Sequence, residues 1–135
     1  MKGTLVDSNV LIDVLSRDAT WAAWSAQALT ELGSEAPLVI NPVIYAEVSQ
    51  RYTRKEVLDR ELPEDGFLRE NVPWAAAFLA GKAHVGYRRR GGRRRSPLPD
   101  FFIGAHAAVA DLRLLTRDPS RYRTYFPTVE LIAPE

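Results

Sequence analysis

Apolar positions along this chain fall into short runs and helical stripes that alternate. Thr4, Leu5 and Val6 form a brief run that stops at Asp7, Ser8 and Asn9, three residue types that cap helices. Val10, Leu11, Val14 and Leu15 then recur at the three- and four-residue spacing of a helix face. The chain therefore opens as strand, sharp turn, helix. A second amphipathic stretch covers residues 21–32 and is expected to close at Gly33, a residue favoured just past a helix end. Leu38, Val39 and Ile40 predict the next strand, and Asn41 with Pro42 predicts a helix start, because proline is tolerated at the first helical position. Helical patterning returns over residues 55–62 and 73–87, and again from Pro99 and Asp100 through Phe102, Ile103, Ala107 and Val109. Residues 112–116 predict a third strand and 129–132 a fourth. Short apolar strands alternating with helices predict an α/β layered fold around a mostly parallel sheet. With no internal repeat and no dividing linker, one domain over residues 1–135 is expected.

Composition narrows the class. Apolar residues make up 46% of the chain, enough to build a core and too many for intrinsic disorder. There is no cysteine, which removes a disulfide framework, a thiolate zinc site and a cysteine nucleophile. No apolar run approaches the roughly 20 residues of a membrane span. The first residues lack the apolar stretch of a signal peptide, so a cytoplasmic protein with no membrane attachment is expected. The formal charge of +1 hides a strong asymmetry. Six of the 18 basic residues, Arg88, Arg89, Arg90, Arg93, Arg94 and Arg95, sit in one run broken only by two glycines. Outside it, 12 basic residues stand against 17 acidic ones. An acidic body with one basic segment keeps a nucleic-acid partner open.

Four acids are placed to act together. In open parallel sheets, ligands bind at the carboxyl ends of the strands. Asp7 directly follows the first strand, Asp118 follows the third, and Asp100 begins the helix that feeds the third. Glu47 lies on the helix after the second strand, inside the apolar run Val43, Ile44, Tyr45, Ala46, Glu47, Val48. Each acid alone also fits a helix cap or a turn. Together they would repel one another and be costly to desolvate, a cost that a divalent cation removes. Mg²⁺ and Mn²⁺ take oxygen ligands and are held by few carboxylates plus water and substrate phosphate. The residues point to an acidic divalent-metal site; two such ions could activate a water and stabilise the leaving oxygen in phosphodiester hydrolysis.

The motifs around these acids resemble a known family. Leu5-Val6-Asp7-Ser8-Asn9-Val10-Leu11-Ile12-Asp13 resembles the opening motif of PIN-domain proteins, and within them most resembles the VapC toxins of type II toxin–antitoxin systems. Asn41-Pro42-Val43-Ile44-Tyr45-Ala46-Glu47 is similar to the second motif, and Leu98-Pro99-Asp100-Phe101-Phe102-Ile103-Gly104-Ala105-His106-Ala107 to the third. Leu114-Leu115-Thr116-Arg117-Asp118 is similar to the last. Ser8 stands where many relatives carry threonine. The resemblance implies a three-layer PIN-like fold with a parallel sheet of about five strands flanked by helices. It implies an Mg²⁺- or Mn²⁺-dependent endoribonuclease. Asp7, Glu47, Asp100 and Asp118 would be the acidic ligands, Asp7 and Asp100 the central pair, and Asn9 and Thr116 polar supports. It also implies a homodimer and a cognate antitoxin that joins it in a larger assembly and blocks the site.

The arginine run is the second functional candidate, since arginines supply sequence-independent phosphate contacts to an RNA substrate. Tyr87 beside it is a possible base-stacking residue. His106 reads as a structural polar residue and His84 as a surface one, and Trp21, Trp24 and Trp74 as core or interface aromatics. Two other functions compete. One is a PIN-like module that binds RNA or protein without catalysis. The other is an aspartyl-phosphate hydrolase with Asp7 as nucleophile, which the absence of a second aspartate at position 9 disfavours.

Overall fold

The computed structural model describes residues 2–92 and 97–135. Strand β1 (Thr4–Val6) leads into helices α1 (Ser8–Leu15) and α2 (Ala22–Glu35), followed by β2 (Leu38–Ile40). Helices α3 (Pro42–Ser49) and α4 (Lys55–Glu61) precede β3 (Leu68–Arg69) and the long α5 (Trp74–Arg89). The chain closes through α6 (Leu98–Ala110), β4 (Arg113–Leu115), α7 (Ser120–Tyr125) and β5 (Leu131–Ile132). The sheet order is β3-β2-β1-β4-β5 and every pairing is parallel. All residues of β1, β2 and β4 are buried, as expected for a parallel sheet covered by helices on both faces.

The order places the site. From β1 the chain crosses to β2 and β3 on one side, then to β4 and β5 on the other. The direction reverses between β1 and β4, so a crevice opens beyond their carboxyl ends. Asp7 is the residue after β1 and Thr116 the residue after β4.

The sheet and most helices match the sequence pattern; the departures have local causes. Strand β3 has only two residues, both exposed, and is held at the edge by pairing with Val39 and Ile40. Helix α2 does not close at Gly33 but runs to Glu35, ending before Pro37. A side chain at Gly33 would place its Cβ 3.3 Å from Leu38 Cδ1, so close packing on β2, not a cap, uses that glycine. Helix α5 continues through Arg88 and Arg89, so the arginine run begins inside a helix. Cations suit the negative end of a helix, and Gly91, at φ 85, makes the left-handed turn that follows. Asp100 is the third residue of α6, not its cap. His84 is half-buried with its ring edge-on to Phe101, not a simple surface residue. Arg93, Arg94 and Arg95 lie outside the described residues.

Candidate active site

Asp7 is the centre of the crevice. Its backbone N–H donates to Leu115 O at 2.9 Å, extending the β1–β4 ladder by one rung and fixing where its side chain starts. Its carboxylate is 3% exposed, and Oδ2 accepts from Thr116 Oγ1 at 2.8 Å and from the Tyr122 hydroxyl at 2.9 Å. Oδ1 has a looser 3.5 Å contact from Ser8 Oγ. Thr116 Oγ1 in turn accepts from the Asp118 N–H at 3.1 Å, which fixes the direction of its own proton toward Asp7. Asn9 Oδ1 accepts from the Arg117 N–H at 3.1 Å and stitches α1 to the end of β4. Asn9 Nδ2 lies 3.5 Å from Asp7 Oδ2, so Asn9 and Thr116 both border the Asp7 carboxylate.

Glu47 reaches the same place from α3. Ser8 Oγ donates to Glu47 Oε1 at 2.8 Å and links it to the turn that carries Asp7. Asp100, from the first turn of α6, forms an ion pair with Arg121 Nη1. The guanidinium of Arg121 lies 5.7 Å from the centre of the Tyr87 ring. Tyr87 also packs edge-on against Phe101 and Tyr125, so its ring is committed to the protein interior and not open for stacking on a base.

The electrostatics tie these acids into one group. Burial pushes the Asp7 carboxyl up to about 6; the Thr116 and Tyr122 hydrogen bonds oppose the rise, and the charges of Asp100 and Glu47 add to it. Glu47 is raised by burial, with Ser8 opposing and Asp100 adding. Asp100 is raised by burial, restrained by Arg121 and pushed further by Asp118. Asp100 is thus the shared neighbour. Asp118 is exposed, and its charge adds to the rise at Asp100. Burial among carboxylates holds Tyr122 well above the ordinary phenol range, so it stays a donor.

These residues fit a hard divalent cation. The oxygens on offer are carboxylate oxygens, and the acids titrate high first because they are buried and then because neighbouring carboxylates add unfavourable charge, both of which a bound cation would relieve. Among the described residues, no three acids or histidines converge tightly enough to hold a metal by themselves. Ser8, Arg121 and Tyr122 are site residues that sequence reasoning missed. For Tyr122 a signal existed: it and Phe126 share the four-residue spacing of a buried helix face. His106 is fully buried on α6, its Nδ1 2.9 Å from Asn41 Nδ2, and the structure gives it a structural place.

A parallel α/β domain with acids gathered at its strand-order switch is the class that fold and site define. The PIN domain model matches residues 4–127, and the chain belongs to that family. No curated protein sequence matches it. Among solved structures, VapBC2 from Rickettsia felis, bound to a promoter DNA fragment, is similar with a TM-score of 0.73 at 15% identity, covering 98% of both chains. A toxin–antitoxin complex from Klebsiella pneumoniae has a TM-score of 0.71 at 23% identity over 98% of both chains. FitAcB from Neisseria gonorrhoeae has a TM-score of 0.68 at 16% identity over 96% of both. At these identities the likeness is one of fold. Among the described residues no helix is long and apolar enough to cross a membrane.

Proposed function

We propose that this chain is the toxin half of a toxin–antitoxin pair and acts as an Mg²⁺- or Mn²⁺-dependent endoribonuclease. The observation that carries the reading is the buried Asp7, raised to about 6 beside Asp100 and Glu47 in a PIN fold. Asp7 and Asp100 would hold the metal, with Glu47 and Asp118 as further acidic ligands. The bound ion supplies a water of lowered pKa and charge stabilisation for the leaving oxygen. Thr116 and Tyr122 hold Asp7 in one rotamer through Oδ2 and keep the other oxygen available. Ser8 fixes Glu47 against the same turn. Arg121 offsets part of the negative charge at Asp100, which eases the approach of a polyanion. Arg88, Arg89, Arg90, Arg93, Arg94 and Arg95 would hold the RNA backbone just ahead of Asp100. Similarity to toxin–antitoxin complexes supports an antitoxin partner, and the resemblance to VapC toxins implies a homodimeric toxin within the larger assembly. We place the protein in the cytoplasm.

The test is cleavage of total cellular RNA by the purified chain, with Mn²⁺ or with chelator, and mapping of the cut ends. Asp100→Asn should lose at least about a thousandfold in rate while its circular dichroism stays native. If that variant cuts as fast as the wild type, the mechanism is wrong.

A further inference from the structure

Helices α3 and α6 pack against each other, and on each a residue of the acid group stands beside an apolar stripe. On α3, Val43, Ala46 and Gln50 follow a three-, four-residue spacing, and Glu47 is the residue after Ala46. On α6, Pro99 and Phe102 are three apart, and Asp100 is the residue after Pro99. The two stripes line one cavity of about 390 Å³. Its walls are carbon almost throughout; among the described residues, Glu47 and Gln50 are the polar side chains on it. Ser8 Oγ already holds one oxygen of Glu47 at 2.8 Å. Gln50 is exposed, and its side-chain amide has no partner among the described residues.

We infer that this cavity takes one unstacked nucleobase of the RNA strand whose phosphate lies at the acids, with Ala46 and Phe102 against the ring and Gln50 at its polar edge. The inference rests on RNA being the substrate and deepens that reading: it assigns the base that the protein reads beside the cut. Position is the first support. Glu47 lines the cavity and is tied through Ser8 to the turn that carries Asp7, so an occupant here is the immediate neighbour of anything held at the acids. The base of an adjoining nucleotide reaches the cavity without a long detour of the strand.

Charge and shape select the occupant. The Glu47 carboxylate on the wall repels a phosphate, so the backbone stays outside, where the arginine run ends three residues before Leu98. The volume lies near the lower end of the roughly 300–1,000 Å³ of small-molecule sites, which suits a single ring system. A base has apolar faces and a hydrogen-bonding edge, and the cavity has apolar walls and one amide. An aliphatic side chain from a protein partner would cover the Gln50 amide and leave it unpaired, at a cost in free energy. A base edge instead both accepts from that amide and donates to it. Single-stranded RNA is recognised in this manner, by splayed bases packed on side chains and bonded along their edges. Ala46 keeps the space open, because it puts only a methyl group on the wall.

Equilibrium binding of the purified full-length chain to short single-stranded RNA, in chelator and at low salt, tests this without cleavage. The probes are fluorescent oligomers of A, of C and of U, about ten nucleotides each, within the span of ordinary single-strand sites. The wild type should bind its best oligomer at least about fivefold more tightly than its worst, the low end of what a two-bond amide contact to a base edge yields. Gln50→Leu keeps the bulk and removes the amide, so it should bring that ratio below about twofold. Ala46→Trp fills the cavity from an exposed position; its thermal melt should stay native while its affinity for the best oligomer falls at least about fivefold. Equal wild-type affinity for the three oligomers, no binding to any of them, or a ratio that survives both substitutions overturns the inference. A cavity that serves a protein side chain would leave RNA binding indifferent to Ala46→Trp, and that result overturns it as well. Mn²⁺-dependent cutting measured on the same samples reads the ribonuclease proposal separately: a chain that discriminates bases and does not cut sinks only that proposal, and one that cuts with no base preference sinks only this one.

Discussion

Replacing Asp7 by asparagine should stabilise the fold at neutral pH while destroying the proposed site. In the unfolded chain this carboxyl titrates near 3.8, and in the folded chain it is pushed up to about 6, first by burial. Below about pH 4 it is protonated in both states and costs nothing. As pH rises through the folded value, the buried group must ionise where solvent cannot help it, and stability present in acid is lost. Two pKa units correspond to about 3 kcal/mol of lost stability above pH 6. Asparagine avoids this penalty and still offers an oxygen to Thr116 and Tyr122. Its hydrogen bonds are weaker than those to a carboxylate, which trims the gain to about 2 kcal/mol, or about 7 °C in Tm for a domain of this size. The assay is thermal unfolding in chelator at a series of pH values from 4 to 8. The advantage of Asp7→Asn should be absent near pH 4, grow between pH 4 and 6, and level off above. Millimolar Mn²⁺ should raise the wild-type Tm and leave the variant unmoved. A variant equal to or less stable than the wild type at pH 7.5, with no pH trend, refutes the reasoning.

Three further outcomes follow from packing and charge. At Gly104 an added Cβ would lie 2.4 Å from Phe126 Cδ2 and 3.0 Å from Tyr122 Cδ1. Gly104→Ala should therefore cost about 1–3 kcal/mol in chemical denaturation and, by displacing Tyr122 from Asp7, slow RNA cleavage as well. Asp13 is 2% exposed and is held by Arg117 Nε at 2.7 Å, Arg117 Nη2 at 3.0 Å and Ser25 Oγ at 3.0 Å. Arg117→Ala strands that buried carboxylate and should cost about 3 kcal/mol, a loss that adding Asp13→Asn partly restores in the same unfolding assay. Replacing Arg93, Arg94 and Arg95 with alanine should weaken RNA binding and reduce the slope of log affinity against log salt by about 2, read by filter binding across salt concentrations.

The elements legible in the sequence are those whose burial is local and regular. Strands β1, β2 and β4 announce themselves as unbroken apolar triplets because helices cover both faces. Asp7 stands out because it adjoins β1, and Asp100 because it lies in the first turn of the helix that leads into β4. Strand β3 is invisible for the opposite reason: its two residues are exposed and become a strand only by pairing with β2. The capping role of Asn41 was readable, and its side chain accepts from the Ile44 N–H at 2.9 Å. Gly33 misled because a glycine that permits close packing and one that ends a helix look alike in one dimension. The partners of the acids were hidden for a related reason. Ser8 and Glu47 are 39 positions apart, Arg121 and Asp100 are 21, and no local pattern encodes either pair.

Sequence distance also has a consequence for how the protein comes into being. The bonds that hold Asp7 join it to residues 109 and 115 positions later. Strand β1 is made first, yet its neighbour β4 comes near the end. At ordinary rates of chain synthesis, roughly 6 to 23 s separate the appearance of Asp7 from that of Tyr122. A nascent or prematurely terminated chain therefore carries the acids without the assembled crevice. The ribosome that makes this protein works beside an unfinished tool for nearly the whole of its manufacture, and the edge is ground only in the final moments.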